Sequence, residues 1–328
     1  MKSLNELHIG FIGLGNMGGA VAEGFIRAGI PAGNIYACGG HFEKLTARCA
    51  EISALAPSDG EHAAGMHACH DVAEVADASD LIFIAVKPVK IPTVIKPYAA
   101  HFADKLIVSV AWGYDLARYE KEEILPASAH LLCTIPNIPV SVGKGIFIAE
   151  KATSLTSEEE TLVHSLLEKI SMVIPVETAQ LNIGGIIGGC APAFAEVFME
   201  AMADAAVMYG IPRATAYPLV SKMLEGTAAL QLASGKHPAA MKDDVCSPGG
   251  ATICGIASLE EHGFRGAVID AVKAIQGDCS RASRCQEDSP GSPEGHFGHS
   301  GVCGPIIKTC QRIGKSVLYR ASFEKRRY

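Results

Sequence analysis

One loop in the C-terminal half combines a hydroxyl group, two glycines and the start of a helix. Its residues are Ser247, Pro248, Gly249, Gly250, Ala251 and Thr252. The proline and glycines break regular helix, but apolar residues return at helical spacing from Ile253 to Leu259. Free N–H groups at a helix start bind anions, and glycine lets a ligand approach the backbone. Thr252 adds a hydroxyl that donates or accepts a hydrogen bond. By itself the string also fits an ordinary Pro-Gly turn.

A second anion-binding signature lies near the N-terminus. The apolar segment 8–12 predicts a strand, and Gly13, Gly15 and Gly18 follow it in G-x-G-x-x-G spacing. Apolar residues then recur at helical spacing until Gly29. In such a motif the first glycine permits the sharp turn, the second lets a pyrophosphate reach the backbone, and the third lets helix and strand pack closely. The order of these elements predicts a dinucleotide-binding site.

The composition favours a core-rich protein that binds small molecules. The chain has 328 residues, of which 48% are hydrophobic and 19% charged, with a formal net charge of −7. A negative balance argues against binding nucleic acid. We expect no membrane segment, because no apolar run reaches the roughly 18 residues that one needs, and we expect no signal peptide. The 11 cysteines lack metal-binding spacing and are typical of reduced thiols, so we expect a cytoplasmic protein with no metal site.

Strand and helix patterns alternate up to residue 176 and then give way to helices. The apolar strands have no polar face, which is typical of a parallel sheet covered on both sides. We therefore predict an α/β fold, with a Rossmann-type doubly wound sheet over 1–176 and an all-α dimerisation and substrate domain over 177–277. The predicted strands are 8–13, 34–37, 81–86, 106–111, 129–134, 145–148 and 172–175, and the main predicted helices of the second domain are 192–209, 212–234, 238–245, 252–262 and 266–276.

Two segments after residue 190 suggest how the chain associates and where its fold ends. The segment 192–234 is rich in Ala and Met, which favours a homodimer interface of interlocked helices, with a monomeric helical core as the alternative. The segment 278–304 is rich in Ser, Gly, Pro, Cys and His and shows no periodicity, and 308–328 is basic and polar, so we predict a disordered tail over 278–328. Its basic end is interpreted as solvated, with binding of RNA or an acidic partner as the alternative.

The two glycine loops and the motifs between them resemble the pyrroline-5-carboxylate reductase family, which catalyses the last step of proline synthesis. The resemblance covers about residues 8–277. Its motifs are 11–18, 85–88, 136–139, 189–194 and 247–252, the last followed by 259–265. The resemblance implies NAD(P)H-dependent reduction of the small-molecule imine 1-pyrroline-5-carboxylate to L-proline. It also implies a helical domain that forms homodimers, often assembled as decamers of five dimers.

The resemblance further implies roles for individual residues. Those that would wrap the cofactor pyrophosphate are Ile12, Gly13, Leu14, Gly15, Asn16 and Met17. Those that would pass beside the nicotinamide ribose are Ala85, Val86, Lys87 and Pro88. Residues 247–252, the substrate loop, would bind the imine. Gly250 and Ala251 would offer N–H groups to its carboxylate, and Thr252 would hydrogen-bond the ring nitrogen as the candidate catalytic residue.

Three positions depart from the family pattern. Trp112 occupies a small-residue position near the expected nicotinamide pocket, and we expect it to narrow the site. Asp244 stands where many relatives have Asn, which puts its contact with the cofactor ribose in doubt. Gly235 replaces an acidic residue of some members. None of the three removes a group that the chemistry requires.

Cofactor choice depends on the residues that follow the second predicted strand. An acidic residue there would bind the ribose 2′-hydroxyl and favour NADH, but positions 37–40 contain none. His41, Lys44 and Arg48 are placed to face a 2′-phosphate instead. We therefore predict NADPH as the cofactor, with NADH as the alternative.

The implied chemistry needs little from side chains, because the cofactor carries the hydride and the protein supplies orientation. A protonated imine accepts hydride without a strong general acid, and we assign none. One alternative is a related dehydrogenase or imine reductase of the 3-hydroxyacid dehydrogenase-like group. A hydroxy acid requires a Lys or His base, and 184–194 contains neither. The other alternative is a non-catalytic NADP-binding sensor, against which the intact substrate loop argues.

Overall fold

The computed structural model describes residues 3–56 and 64–287. The strands are β1 (Ile9–Ile12), β2 (Ile35–Cys38), β3 (His67–Ala68), β4 (Leu81–Ile84), β5 (Leu106–Ser109), β6 (His130–Pro136), β7 (Gly145–Glu150) and β8 (Ser171–Val176). They form one sheet in the order β3-β2-β1-β4-β5-β6-β7-β8. Neighbours are parallel except β6 and β7. The strand order reverses direction between β1 and β4, where doubly wound sheets bind ligands.

The α-helices of the described residues connect the strands and then form a separate region. They are α1 (Asn16–Arg27), α2 (Phe42–Ser53), α3 (Val72–Ala78), α4 (Ile91–Ile95), α5 (Leu116–Lys121), α6 (Ser157–Leu167), α7 (Thr178–Gly185), α8 (Pro192–Met208), α9 (Arg213–Ser234), α10 (Pro238–Asp244), α11 (Ala251–Glu261) and α12 (Phe264–Glu287). Short 3-10 helices cover Leu4–Glu6, Ala32–Asn34, Pro88–Lys90, Lys96–Phe102 and Ile138–Val142. A π-helical turn, Ile186–Cys190, joins α7 to α8.

Side chains that alternate across the central strands build two cores, one on each face of the sheet. Phe11 and Phe83 lie on one face, stacked with ring centroids 5.0 Å apart, and pack under α1, α2 and α6. Ile82 and Ile84 lie on the other face and pack under α3, α4 and α5. Because helices cover both faces, these strands need no polar face. The predicted α/β class, with a doubly wound sheet followed by helices, is confirmed.

Strand β3 was not predicted from the sequence. It has two residues, too few to show a period of two, and it forms by parallel pairing of His67 with Tyr36 of β2. The ring of His67 stacks on that of Tyr36 with centroids 4.6 Å apart. Short as it is, β3 directs the following turn, His70 and Asp71, toward the edge of the sheet where β1 and β2 end.

The C-terminal helices bury very little of their apolar surface within one chain. Helices α8 and α9 pack around a small cluster of Ala203, Ala216 and Val220. Large apolar side chains on these and the neighbouring elements remain exposed, among them Val197, Met208, Tyr209, Leu219, Leu230, Leu232 and Val245. So many exposed large apolar side chains on neighbouring helices favour an interaction surface. The small core of the described helices favours an interface over the alternative of a monomeric helical core.

The stretch Thr178–Met208 is also the one described helix long and apolar enough to cross a membrane, by length and composition only. It has 31 residues, with α7, the π-helical turn and α8 in succession, and a mean hydropathy of 1.4 in its most apolar window. The run is interrupted in sequence by polar and charged residues such as Asn182 and Glu196. The expectation that the chain has no membrane segment stays a prediction.

The described residues up to Cys279 belong to one compact unit. The last helix, α12, continues to Glu287, so it passes position 277, where the predicted tail begins. Residues 278–287 of the predicted tail therefore belong to α12. The rest of the predicted disordered tail, from residue 288 on, lies outside the described residues.

Candidate functional site

The turn between β1 and α1 requires glycine at two positions. Gly13 has a φ of +99°, and a Cβ there would lie 2.8 Å from the carbonyl oxygen of Ala85. A Cβ at Gly18 would lie 2.2 Å from the carbonyl oxygen of Gly13, so α1 can approach β1 only with glycine at that position. Gly15 differs, because no atom lies within 4 Å of the place a Cβ would take. The open space at Gly15 is available to a ligand.

The start of α1 presents unused hydrogen-bond donors to that space. Gly15 is the N-cap and no side chain caps the helix. Among the described hydrogen bonds, none uses the backbone N–H of Gly15, Asn16 or Met17. Free N–H groups and the positive end of the helix dipole together favour a negatively charged ligand such as a pyrophosphate.

Two grooves meet at this turn, along the carboxyl ends of β1, β4 and β5. The first groove has a volume of about 850 Å³ and includes Ile12, Gly13, Leu14, Gly15, Cys38, His41, Lys44, Arg48, His70, Asp71, Ala85, Val86, Lys87, Thr93 and Tyr98. The second groove has a volume of about 550 Å³ and includes Gly15, Asn16, Met17, Ala85, Val86, Lys87, Pro88, Ala111, Trp112, Ile135, Pro136, Gly189 and Cys190. Every residue predicted to bind cofactor lines at least one of them. Their roles stay predictions.

One end of the first groove contains the side chains that are predicted to bind the 2′-phosphate of the cofactor ribose. His41 and Lys44 are exposed at the start of α2, and no described ion pair involves either. Arg48 differs, since its guanidinium already pairs with Glu23 and, at 3.2 Å, with Glu51. His41 and Lys44 are therefore without a described ion pair and available to a phosphate, whereas Arg48 is held by carboxylates.

Cys38 occupies the end of β2, where an acidic residue would bind a ribose hydroxyl. Burial, with a smaller effect of Cys69, raises the pKa of the Cys38 thiol to about 12, so the thiol is neutral at physiological pH. The carboxylate of Asp71 lines the groove and caps α3 by accepting a hydrogen bond from the backbone N–H of Glu74 at 3.0 Å. A 2′-phosphate would therefore meet no charged group on β2 itself.

The π-helical turn forms one wall of the second groove and is held by Asn137. The Asn137 side chain donates to the carbonyl of Gly188 at 3.0 Å and accepts from the backbone N–H of Ile146 at 3.0 Å. This bridge ties the turn to the end of the sheet and positions Gly189 and Cys190 along the groove. Neither helical nor strand periodicity in the sequence signals such a turn, and π turns are frequent at functional sites.

The substrate loop lies apart from both grooves in the chain. It connects α10 to α11, with Gly249 at a φ of +70° and Gly250 as the N-cap of α11. The backbone N–H of Gly250 bonds the carbonyl of Ser247 at 3.0 Å, whereas no described bond uses those of Ala251 and Thr252. Thr252 is exposed, and none of residues 247–252 lines either groove. The chain presents the predicted anion site but does not bring it to the predicted cofactor site.

The remaining unusual positions have structural roles in the helical region. Asp244, at the end of α10, pairs with Lys236 and does not line either groove. Gly235 ends α9 with a φ of +60°, a conformation that favours glycine over an acidic residue. Within residues 3–56 and 64–287 no group of three or more His, Cys, Asp or Glu side chains could hold a metal ion.

Comparisons with known proteins connect these features to one family. A family model described as pyrroline-5-carboxylate reductase dimerisation matches residues 178–281, and one described as NADP oxidoreductase coenzyme F420-dependent matches residues 8–113. Pyrroline-5-carboxylate reductase of Treponema pallidum is 44% identical over 82% of this chain and 98% of its own length. The Escherichia coli enzyme of the same name is 34% identical over 81% of this chain and 95% of its own length.

Solved structures agree with the sequence relatives. Pyrroline carboxylate reductase of Plasmodium falciparum, with NADP bound, has a TM-score of 0.69 and 27% identity, and the match covers 83% of this chain and 96% of that one. Pyrroline-5-carboxylate reductase of Coxiella burnetii has a TM-score of 0.71 and 25% identity, and the match covers 84% and 98%.

Proposed function

The chain belongs to the pyrroline-5-carboxylate reductase family, and we propose that it reduces 1-pyrroline-5-carboxylate to L-proline with NADPH. The observation that carries the proposal is the pairing of two anion sites in one sequence. One is the glycine turn of β1 and α1, with unused N–H groups. The other is the substrate loop at the start of α11, with its own unused N–H groups. The identity of 44% spans 98% of a relative's length, which extends the likeness beyond either motif.

The first groove and the glycine turn fit a dinucleotide. Gly15 leaves open space for phosphate oxygens, and the N–H groups of Asn16 and Met17 would donate to them. His41 and Lys44 would pair with a 2′-phosphate. When bound, NADPH supplies the hydride that reduces the C=N bond. The apolar walls of the second groove, including Val86 and Pro88, would exclude water from the reacting carbon.

The substrate loop fits a cyclic imine that carries a carboxylate. The N–H groups of Ala251 and Thr252 would bind the carboxylate, favoured by the dipole of α11. The hydroxyl of Thr252 would hydrogen-bond the ring nitrogen and fix the orientation of the C=N bond. The imine can enter already protonated, so the protein need hold no strong acid at the nitrogen.

We infer that two chains together complete each site. The substrate loop of one chain does not line its own grooves, so a loop from a second copy would have to close them. The exposed apolar side chains of α8 and α9 supply a surface for this homodimer. The same surface accounts for the apolar run Thr178–Met208 as an interface rather than a membrane span. Assembly of five such dimers into a decamer remains the further expectation from the family.

A cytoplasmic location and the absence of nucleic-acid partners complete the proposal. The described cysteines, such as Cys38, Cys49 and Cys133, are free thiols, which suits a reducing compartment. The formal net charge of −7 disfavours binding to nucleic acid phosphates.

The decisive assay measures steady-state turnover of purified protein with 1-pyrroline-5-carboxylate and with NADPH or NADH. We expect oxidation of the nicotinamide cofactor with formation of L-proline. Turnover of a 3-hydroxy acid with NADP+ instead would favour the related dehydrogenase, although residues 184–194 supply no Lys or His base. Tight NADPH binding without turnover of any imine would favour the non-catalytic sensor.

Cofactor discrimination tests the groups at the end of the first groove. Replacing His41 and Lys44 together by Ala should weaken NADPH binding by about tenfold and leave NADH binding nearly unchanged, because only NADPH carries the 2′-phosphate. Dissociation constants from fluorescence titration measure both effects. Lys96→Ala removes a charge from an exposed residue outside both grooves and serves as the control. Equal losses for both cofactors would remove the reason to assign these side chains to the phosphate.

Truncation tests the predicted tail and the dimer. A chain that ends at Glu287, the end of α12, should keep full activity and form at least a dimer at micromolar concentration. The tail composition offers little apolar area to bury, whereas α8 and α9 expose theirs. Light scattering after size exclusion, beside the activity assay, measures both properties. An active monomer would contradict the two-chain site, and an inactive dimer would assign a function to residues 288–328.

A further inference from the structure

The wall of the second groove contains Trp112, the single tryptophan of the chain. It lies in the loop after β5, which ends at Ser109, and its side chain is half-buried. Within the groove it shares the lining with Met17, Val86 and Cys190. The indole is the largest side chain in the lining of this groove, so its position affects how much space the groove leaves for a ligand.

The fold makes room for the indole at one position of α7. A Cβ at Gly185 would lie 2.8 Å from Cζ3 and 3.2 Å from Cη2 of Trp112, and 2.7 Å from Cδ1 of Ile135. The six-membered edge of the indole therefore rests directly on the backbone of α7. Only glycine at position 185 allows this approach.

The indole packs against a small buried core, which restricts its movement. That core contains Ile135, Ile148 and Leu181, each at most 5% exposed, with Trp112 packed against it. Close-packed interiors resist displacement, so the indole forms a rigid wall. On another side the π-helical turn is held by Asn137, which fixes Cys190. The indole of Trp112 and the π-helical turn therefore set the width of the groove between them.

We propose that Trp112 determines substrate specificity by limiting the ring size of the imine. This inference rests on the proposed function and names its substrate class: a five-membered cyclic imine with a carboxylate on the ring carbon next to nitrogen. The six-membered homologue, 1-piperideine-6-carboxylate, carries one more methylene group. A rigid apolar wall discriminates one methylene by about ten- to two-hundredfold in kcat/KM.

The ratio of kcat/KM for the five-membered imine to that for the six-membered imine tests the proposal. Trp112→Leu keeps an apolar side chain on Gly185 but shortens the wall, and should lower this ratio by about tenfold or more, chiefly by raising turnover of the larger ring. Trp112→Phe retains more of the core packing and should give an intermediate ratio. Leu181→Ala loosens the core behind the indole without lining the groove, and should lower the ratio by less than Trp112→Leu does. Circular dichroism establishes that each variant is folded.

A ratio unchanged in folded Trp112→Leu and Trp112→Phe would overturn the proposal, as would an equal change in Leu181→Ala. A second readout does not depend on turnover. Emission of the single tryptophan overlaps the absorption of reduced nicotinamide, so NADPH binding should quench Trp112 with energy transfer in the wild type and in Leu181→Ala. If the wild type binds NADPH without quenching, the location of Trp112 beside the cofactor is wrong. If it quenches but reduces neither imine, the proposed function fails while the location stands.

Discussion

A Gly15→Asp variant is expected to fold normally and to lose at least about a hundredfold in NADPH affinity, or ~2.7 kcal/mol of binding free energy. Gly15 has a φ of −76°, which any L-residue adopts, and no atom lies within 4 Å of its Cβ position. The new side chain therefore causes no clash within the chain. It places a carboxylate at the start of α1, where the N–H groups of Asn16 and Met17 would meet the pyrophosphate. Like charges at this distance repel, and the acid also competes for the donors.

Cofactor titration measures the NADPH affinity of the variant, and thermal unfolding measures its stability. Gly15→Ala is the matched control, because it fills the same space with a methyl group and adds no charge. We expect Gly15→Ala to weaken NADPH much less than Gly15→Asp does. Gly18→Ala, in contrast, should lower the stability of the fold, because its Cβ would lie 2.2 Å from the carbonyl oxygen of Gly13. Unimpaired NADPH binding by folded Gly15→Asp would show that the pyrophosphate does not lie at this turn.

Replacement of Thr252 by Ala is expected to lower kcat/KM for 1-pyrroline-5-carboxylate by about ten- to a hundredfold. That loss is about 1.4–2.7 kcal/mol, the value of one hydrogen bond to a charged group. The exposed hydroxyl lies in the first turn of α11 and contributes no described hydrogen bond to the fold, so stability should barely change. NADPH affinity should also be nearly unchanged, because the substrate loop lies outside the two grooves.

Thr252→Ser keeps the hydroxyl and should retain most of the activity, which separates hydrogen bonding from the loss of a methyl group. Steady-state kinetics with varied imine at saturating NADPH provide the comparison. Wild-type turnover in Thr252→Ala would remove the role assigned to the hydroxyl, and a loss of equal size in Thr252→Ser would assign the effect to packing.

Co-expression of the Gly15→Asp and Thr252→Ala chains extends both tests to the two-chain site. If each site takes its groove from one chain and its loop from the other, a mixed dimer has one intact site and one doubly impaired site. Random pairing makes about half of the dimers mixed, so activity should return to about a quarter of wild type. Activity no higher than the average of the two parents would place groove and loop in the same chain.

Patterns among residues close in sequence are sufficient to predict the first strand, the glycine turn, the first helix and the substrate loop. The apolar run that ends at Gly13, the G-x-G-x-x-G spacing and the helical periodicity after it are local, and they predict β1, the turn and α1 together. Gly13 and Gly18 could be assigned because a positive φ and a close approach allow no other residue. The substrate loop could also be predicted, because Pro248 and Gly249 interrupt the helical pattern that begins again with α11.

Only the tertiary structure decided which of these local features meet. The carboxylate of Glu23 on α1 holds Arg48 of α2, so a cation that sequence placed beside the phosphate is already paired. Trp112 forms a rigid wall only because Gly185, distant in the chain, has no side chain. The substrate loop lies outside both grooves of its own chain, which its local sequence pattern does not indicate. Such outcomes depend on contacts between residues far apart in sequence, whose pairing no local period or spacing encodes.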